Sequence, residues 1–160
     1  MLAIKFHHLR ALIHRPYLCL SRLQPNNGPL MDLLQRFPER VNYMERTCVF
    51  EAQQTAHLLN NVTDTGSLVH DFPWWQMIPC LLCASSILLV ASASTEPDQI
   101  STGCDIDELK EDAETCLKVF DALSVNSNAA RRARDMLESL KTLSILPRGL
   151  CKEDPKFWFY

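Results

Sequence analysis

The longest uncharged stretch of the chain covers residues 72–95 and reads FPWWQMIPCLLCASSILLVASAST. Its length meets the requirement of about 20 apolar residues for a membrane-spanning helix. Against a span stand Gln76, Pro79 and four serines, and no Lys or Arg cluster flanks the stretch to set an orientation. A helix that is apolar on all sides also forms the centre of a soluble bundle. We therefore favour a buried central helix and keep a transmembrane span as the alternative.

The composition of the whole chain favours one soluble helical domain. With 160 residues, 47% hydrophobic and 22% charged, the chain is too apolar for a disordered protein. Four glycines against nine prolines disfavour an all-β fold, because glycine supplies the positive φ angles that many turns need. A nucleic-acid-binding domain usually has an excess of basic residues, whereas this chain has a net charge of -3. No direct DNA contact is therefore expected.

Apolar periodicity predicts two helices before the uncharged stretch. The first covers residues 2–14 and ends before Pro16, because a residue that precedes proline is pushed out of the helical region. The second begins near Pro38 and closes at Asn60. The apolar face of the first helix is Leu2, Phe6, Leu9 and Ile13. The apolar stripe of the second helix is Val41, Met44, Cys48, Ala52, Thr55 and Leu59. The polar residues between these positions are Asn42, Glu45, Arg46, Glu51, Gln53 and Gln54.

Two more helices are predicted after the uncharged stretch. Asp105 caps the first, and the acids of residues 105–121 are assigned to a solvated surface. Asn126 or Ser127 caps the second. The predicted buried faces are Ile106, Leu109, Ala113, Cys116, Leu117, Phe120 and Leu123 on the first, and Ala130, Ala133, Met136, Leu137, Leu140 and Leu143 on the second. The predicted fold is all-α, an irregular bundle of about five helices over residues 1–146, with a tail at 147–160 whose aromatic end could dock on it.

The residues that carry chemistry predict no catalytic, cofactor-binding or metal site. Seven cysteines without a secretory signal indicate a reducing compartment and thiols packed in helices. The Cys80-Leu-Leu-Cys83 pair lacks a second pair at ligand spacing. His7 and His14 would lie two helical turns apart, too far to chelate one ion together. Cys48 or Cys116 as a nucleophile would need a nearby base, and their apolar stripes favour packing instead. We predict that the chain is not an enzyme.

The amino-terminal segment supports a second alternative. Residues 1–24 are basic, amphipathic and free of acidic residues, which is typical of a mitochondrial presequence, although Ser21 is their only serine. Combined with the uncharged stretch, this pattern describes a small membrane or mitochondrial protein.

Several blocks of the sequence resemble a known family. Residues 11–18 read ALIHRPYL and are similar to the L-x-x-H-R-P-x-L signature of the fungal-specific transcription factor domain, also called the middle homology region. Further blocks follow in the family's order and cover most of residues 2–143. They are a Cys-x3-Ala-x3-Ala helix (Cys48, Ala52, Ala56), a helix that begins Pro-Trp-Trp (Pro73, Trp74, Trp75, Ala84, Leu88), and a Cys-Leu…Leu-Ser…Ala-x-x-Ala block (Cys116, Leu117, Leu123, Ser124, Ala130, Ala133).

The resemblance implies a non-catalytic helical regulatory domain that acts on transcription in the nucleus. The implied partners are other regions of a transcription factor or the transcription machinery, together with a hydrophobic small-molecule effector. Trp74 and Trp75 are expected in the bundle core, with a pocket between helices as the alternative. The match corresponds to the carboxyl-terminal part of the family region, so we expect a piece of a larger regulatory domain or a truncated gene model.

The metal chemistry of that family is not expected here. Zinc and sequence-specific DNA binding belong to a module of six cysteines that opens C-x2-C-x6-C. The next cysteine after Cys80 and Cys83 is Cys104, after twenty intervening residues, and that spacing does not fit. No zinc or other cofactor is therefore assigned to these residues.

Overall fold

A computed structural model describes residues 2–18, 20, 34–60, 73–94 and 105–145. The described residues form α-helices and one short 3-10 turn and contain no strand, which confirms the predicted all-α fold. The elements are α1 (Leu2–His14), the 3-10 turn (Arg15–Tyr17), α2 (Pro38–Asn60), α3 (Trp74–Ser94), α4 (Ile106–Ser124) and α5 (Asn128–Ile145). The predicted tail at 147–160 lies outside the described residues.

Local signals set the helix ends as predicted. The α-helical part of α1 stops at His14, and Pro16 sits in the 3-10 turn that follows. The Asp105 carboxylate accepts a hydrogen bond from the backbone N–H of Asp107 at 3.1 Å. Ser127 Oγ accepts one from the backbone N–H of Ala130 at 3.2 Å and so caps α5. Each cap satisfies an amide that the first helical turn leaves without a partner.

The uncharged stretch forms α3, which lies at the centre of the bundle and contacts all four other helices. Its buried side chains include Met77, Leu81, Ile87 and Leu88. Trp75–Ala93 has a mean hydropathy of 1.8, and 56% of its apolar window is buried. Among the described residues, this is the one segment long and apolar enough to cross a membrane by length and composition alone.

The predicted faces of α4 and α5 meet the core to different degrees. On α4, every predicted position from Leu109 to Leu123 is buried, and Ile106 is half-buried. On α5, Ala130, Ala133 and Leu137 are buried, as predicted, and the side chain of Leu143 lies outside the described part of the structure. Met136 and Leu140 are 48% and 38% exposed, which corrects the prediction that they lie in the core. Both border an open groove that α5 forms with α1 and α3.

The predicted orientation of α1 is wrong. Leu2, Phe6, Leu9 and Ile13, the expected core face, are 53% to 85% exposed. The buried apolar residues of the helix are instead Ile4 and Ala11. The physical reason is a polar contact, because His7 shares their face and lies at hydrogen-bond distance from a buried carboxylate on α2.

The apolar stripe predicted for α2 is confirmed, since five of its members are buried and Met44 is half-buried. The expected polar side of the helix is not solvated throughout. Glu45, Glu51 and Gln53 are 4%, 0% and 6% exposed. The neighbours α1 and α4 cover this side of α2 and supply polar partners to Glu51 and Gln53.

Candidate functional site

A buried carboxylate joins α1 to α2. His7 Nδ1 lies 2.6 Å from Glu51 Oε2, at hydrogen-bond distance. Arg10 Nη1 lies 3.1 Å from the other oxygen, Oε1, as an ion pair that lacks hydrogen-bond geometry. The Arg10 guanidinium also lies over the ring of Phe6, 5.5 Å from its centroid. Two partners therefore compensate a fully buried charge that would otherwise strongly oppose folding.

A second polar cluster joins α2 to α4. Asp112, expected on the solvated acidic surface, is only 6% exposed. Its Oδ2 accepts a hydrogen bond from Gln53 Nε2 at 3.1 Å, and its Oδ1 lies 3.1 Å from His57 Nε2. These two contacts account for the burial of Asp112, and they correct the assignment of every acid on α4 to the solvated surface.

The same cluster contains the residues that could hold a metal ion. One ligand atom each from His57, Glu108 and Asp112 lie within 4.8 Å of one another. The two acids are four residues apart on α4, so they project from the same helix face. Glu108 is exposed, and the direct contact between His57 and Asp112 satisfies both groups without a cation. We therefore assign this cluster to the packing of α2 against α4.

The amino-terminal histidines have separate surroundings. His7 contacts Glu51, whereas His8 lines a groove against α3 and α5. His14 ends α1, and its Nδ1 is buried without a hydrogen-bond partner among the described residues. These three side chains form no ligand cluster with each other in the described part of the chain.

The described cysteines are free thiols packed in the bundle. Cys48, Cys80, Cys83 and Cys116 are all buried. The thiol of Cys48 donates to the carbonyl oxygen of Ala11 at 3.6 Å, and that of Cys80 donates to the carbonyl of Gln76 at 3.3 Å. Burial raises the pKa of Cys116 to about 12, although a hydrogen bond with Ser85 acts in the opposite direction. A thiol with so high a pKa carries almost no nucleophilic thiolate at neutral pH.

One tryptophan does not take the expected position. Trp75 is 60% exposed, so it is not a core residue. It lies near the start of α3, where the neighbouring helices do not cover its side chain. The side chain of Trp74 lies outside the described part of the structure.

Two concave surfaces in the described part of the chain border α3 at different positions along the helix. A cleft of about 200 Å³ lies between α3, α4 and α5, and the ion pair between Lys141 and Glu114 stands at its rim. The hydrogen bond from Glu114 raises the pKa of Lys141. A larger, more open groove of about 410 Å³ lies between α1, α3 and α5. We call it the α1–α3–α5 groove; its lining residues are His8, Leu12, Arg15, Pro79, Leu82, Cys83, Ser86, Met136 and Leu140.

The blocks that carry the family resemblance lie at helix contacts. Ala11 and Leu18 of the first block are buried, and Ala11 contacts Cys48 of the second block. The matched residues with exposed fractions of at most 9% are Ala11, Leu18, Cys48, Ala52, Ala56, Ala84, Leu88, Cys116, Leu117, Leu123, Ala130 and Ala133. Comparison with protein-family models, with curated proteins and with solved structures finds no match to the chain.

Proposed function

We propose that the chain is a non-catalytic helical regulatory domain of the kind found in fungal zinc-cluster transcription factors. In this proposal it acts in the nucleus by contacting other regions of a transcription factor or the transcription machinery. Neither DNA nor a metal ion is bound by its own residues.

The observation that carries the proposal is the convergence of the resembling blocks. They are separated by tens of residues in the sequence, yet twelve of their residues, from Ala11 to Ala133, belong to one buried core. Leu12, Ile13 and Trp75 are the apolar members that stay exposed among those the structure describes. The contact between Ala11 and Cys48 joins the first block to the second across 37 positions. Small side chains such as Ala52 and Ala56 allow helices to approach closely, so these residues would define the packing of a regulatory bundle.

The state of the thiols supports the non-catalytic part of the proposal. A cysteine nucleophile needs a lowered pKa or an adjacent base, together with access to substrate. Cys48 and Cys116 are fully buried, and burial raises the pKa of Cys116. His57, the base that either thiol would need, instead contacts Asp112.

A transcription reporter tests the regulatory role. The whole chain is placed between a heterologous DNA-binding domain and an activation domain in yeast, and reporter output is compared with a fusion that carries an unrelated helical domain. We expect the chain to change the output. Ala56→Trp overpacks the core and should cancel the effect, whereas Ala129→Trp at an exposed position of α5 should retain it.

Protein levels and localisation complete this test. Immunoblots establish that the fusions accumulate equally, and a native fusion that behaves like the unrelated domain contradicts the proposal. A fluorescently tagged chain should give a nuclear or diffuse signal. An organelle signal that disappears on deletion of residues 1–24, or retention in membranes after carbonate extraction, would instead establish a mitochondrial or membrane protein that uses residues 72–95 as its span.

A further inference from the structure

The α1–α3–α5 groove combines an apolar wall with the positive charge of Arg15, which has no acidic partner among the described residues. We infer that it binds a single-chain amphiphile with a carboxylate head, a fatty carboxylate, with the chain along the apolar wall and the head at Arg15. This binding is a property of the isolated protein and does not depend on the function proposed above.

The wall of the groove suits a flexible hydrocarbon chain. Its volume of about 410 Å³ falls within the roughly 300–1,000 Å³ that is usual for small-molecule sites. Leu12, Met136 and Leu140 are 38% to 48% exposed. Met136 and Leu140 are exposed to this extent although they belong to the face of α5 that is predicted to be buried. A bound chain would remove this apolar surface from water. Methionine side chains adapt readily to such ligands.

The head of the ligand would meet Arg15, in the 3-10 turn that follows α1. Arg15 has no acidic partner among the described residues, and none of the described residues that line the groove is acidic. A carboxylate would pair with the guanidinium.

Electrostatics place the charge of Arg15 at the groove. Burial raises the pKa of the Cys83 thiol in the groove wall, and the positive charge of Arg15 partly offsets this rise. Burial also lowers the pKa of His8, so Arg15 rather than His8 supplies the positive charge of the groove at neutral pH. The thiol remains protonated and does not compete with the ligand for the guanidinium.

The other cleft beside α3 lacks this free charge. Lys141 at its rim is paired with Glu114, and Lys110 is paired with Asp107 at 3.3 Å. An anion there would have to displace a carboxylate that the protein already provides. The α1–α3–α5 groove is therefore the site of choice for an anionic amphiphile.

Calorimetric titration of the purified full chain tests the inference. The probes are dodecanoate, below the concentration at which it forms micelles, and dodecyltrimethylammonium, which has the same chain and a cationic head. We expect dodecanoate to bind once per chain and more tightly than the cation. Arg15→Gln should weaken dodecanoate about tenfold, since a charge-assisted hydrogen bond contributes about that factor.

Matched variants keep the test specific. Lys118→Gln removes an exposed positive charge from α4, which does not line the groove, and should leave the affinity unchanged. Leu140→Glu places a negative charge on the groove wall at a partly exposed position and should weaken dodecanoate strongly. Circular dichroism checks that each variant remains folded; Arg15 and Lys118 are exposed, so neither change removes core packing.

Three results would overturn the inference. The first is equal affinity for the anionic and cationic probes. The second is an equal loss of dodecanoate affinity in Arg15→Gln and Lys118→Gln. The third is binding to a membrane in place of the soluble ligand. In that case the chain cosediments with vesicles of phosphatidylcholine and phosphatidylglycerol, Arg15→Gln reduces the cosedimentation, and dodecanoate does not bind in solution. Arg15 would then contact a membrane surface.

Discussion

The contact between α1 and α2 and the contact between α3 and α4 are similar in extent but differ in chemistry. At the first, His7 and Arg10 converge on a carboxylate, Glu51, that is fully buried. At the second, α3 and α4 contribute large apolar side chains such as Leu88 and Phe120 to the core. Burial of apolar surface is non-directional, whereas a buried charge requires particular partners at particular positions. The apolar contact should therefore contribute most to stability, and the polar contact should fix how α1 lies.

The largest effect is expected in the apolar contact. Phe120 is fully buried, so Phe120→Ala should lower the free energy of unfolding by about 3–5 kcal/mol. Urea denaturation followed by circular dichroism measures this change. Val125→Ala, at a residue that is 75% exposed, should change stability by less than about 0.5 kcal/mol. Similar losses for both variants would mean that Phe120 is not in the core.

The orientation of α1 gives the next largest effect. Ile4 is 7% exposed and Leu9 is 59% exposed, although apolar periodicity alone predicts the opposite. Ile4→Ala should cost about 2 kcal/mol, near the lower end for buried aliphatic residues. Leu9→Ala should cost less than about 0.5 kcal/mol. The reverse order in the same denaturation experiment would restore the face made of Leu2, Phe6, Leu9 and Ile13.

A helix cap gives a smaller effect. Ser127 Oγ accepts a hydrogen bond from Ala130 N, and loss of such a cap typically costs about 1 kcal/mol. Ser127→Ala should therefore lower the melting temperature moderately, while Ser127→Asp, which can still cap, should lower it less. If Ser127→Asp were as unstable as Ser127→Ala, the hydroxyl would act through packing rather than through capping.

The smallest effect is a pH dependence on α1. Burial lowers the pKa of His8 below its ordinary 6.5, so the unfolded chain takes up this proton at a higher pH than the folded chain does. His8 therefore reduces stability as the pH falls through about 6.5 and has no such effect above that value. His8→Gln should lose less stability than the native chain between about pH 7.5 and about pH 5.5. Parallel curves for the two proteins would contradict the pKa shift.

The two contacts also explain which features can be predicted from sequence. The buried face of α4 follows from spacing, because each position from Leu109 to Leu123 is decided by whether its own side chain is apolar. The orientation of α1 does not follow, because it depends on Glu51, which lies 44 positions from His7. The apolar periodicity of one helix carries no information about a buried carboxylate on another helix.

The same limit applies to the second polar cluster and to the α1–α3–α5 groove. Asp112 belongs to an acidic stretch typical of a solvated surface, and its partner Gln53 is 59 positions away. The groove arises from the relative placement of three helices and has no local pattern. The prediction that Met136 and Leu140 are buried is wrong, and both of these partly exposed residues line the groove.

The central claim is that His7 and Arg10 matter because Glu51 is buried, and a double-mutant cycle tests it most directly. His7→Ala with Arg10→Ala is measured by urea denaturation in the native chain and in the Glu51→Leu chain. In the native chain the pair of substitutions should cost about 3 kcal/mol, because it leaves a buried carboxylate without partners. In the Glu51→Leu chain the same pair should cost less than about 1 kcal/mol. Equal costs in the two backgrounds would contradict the account.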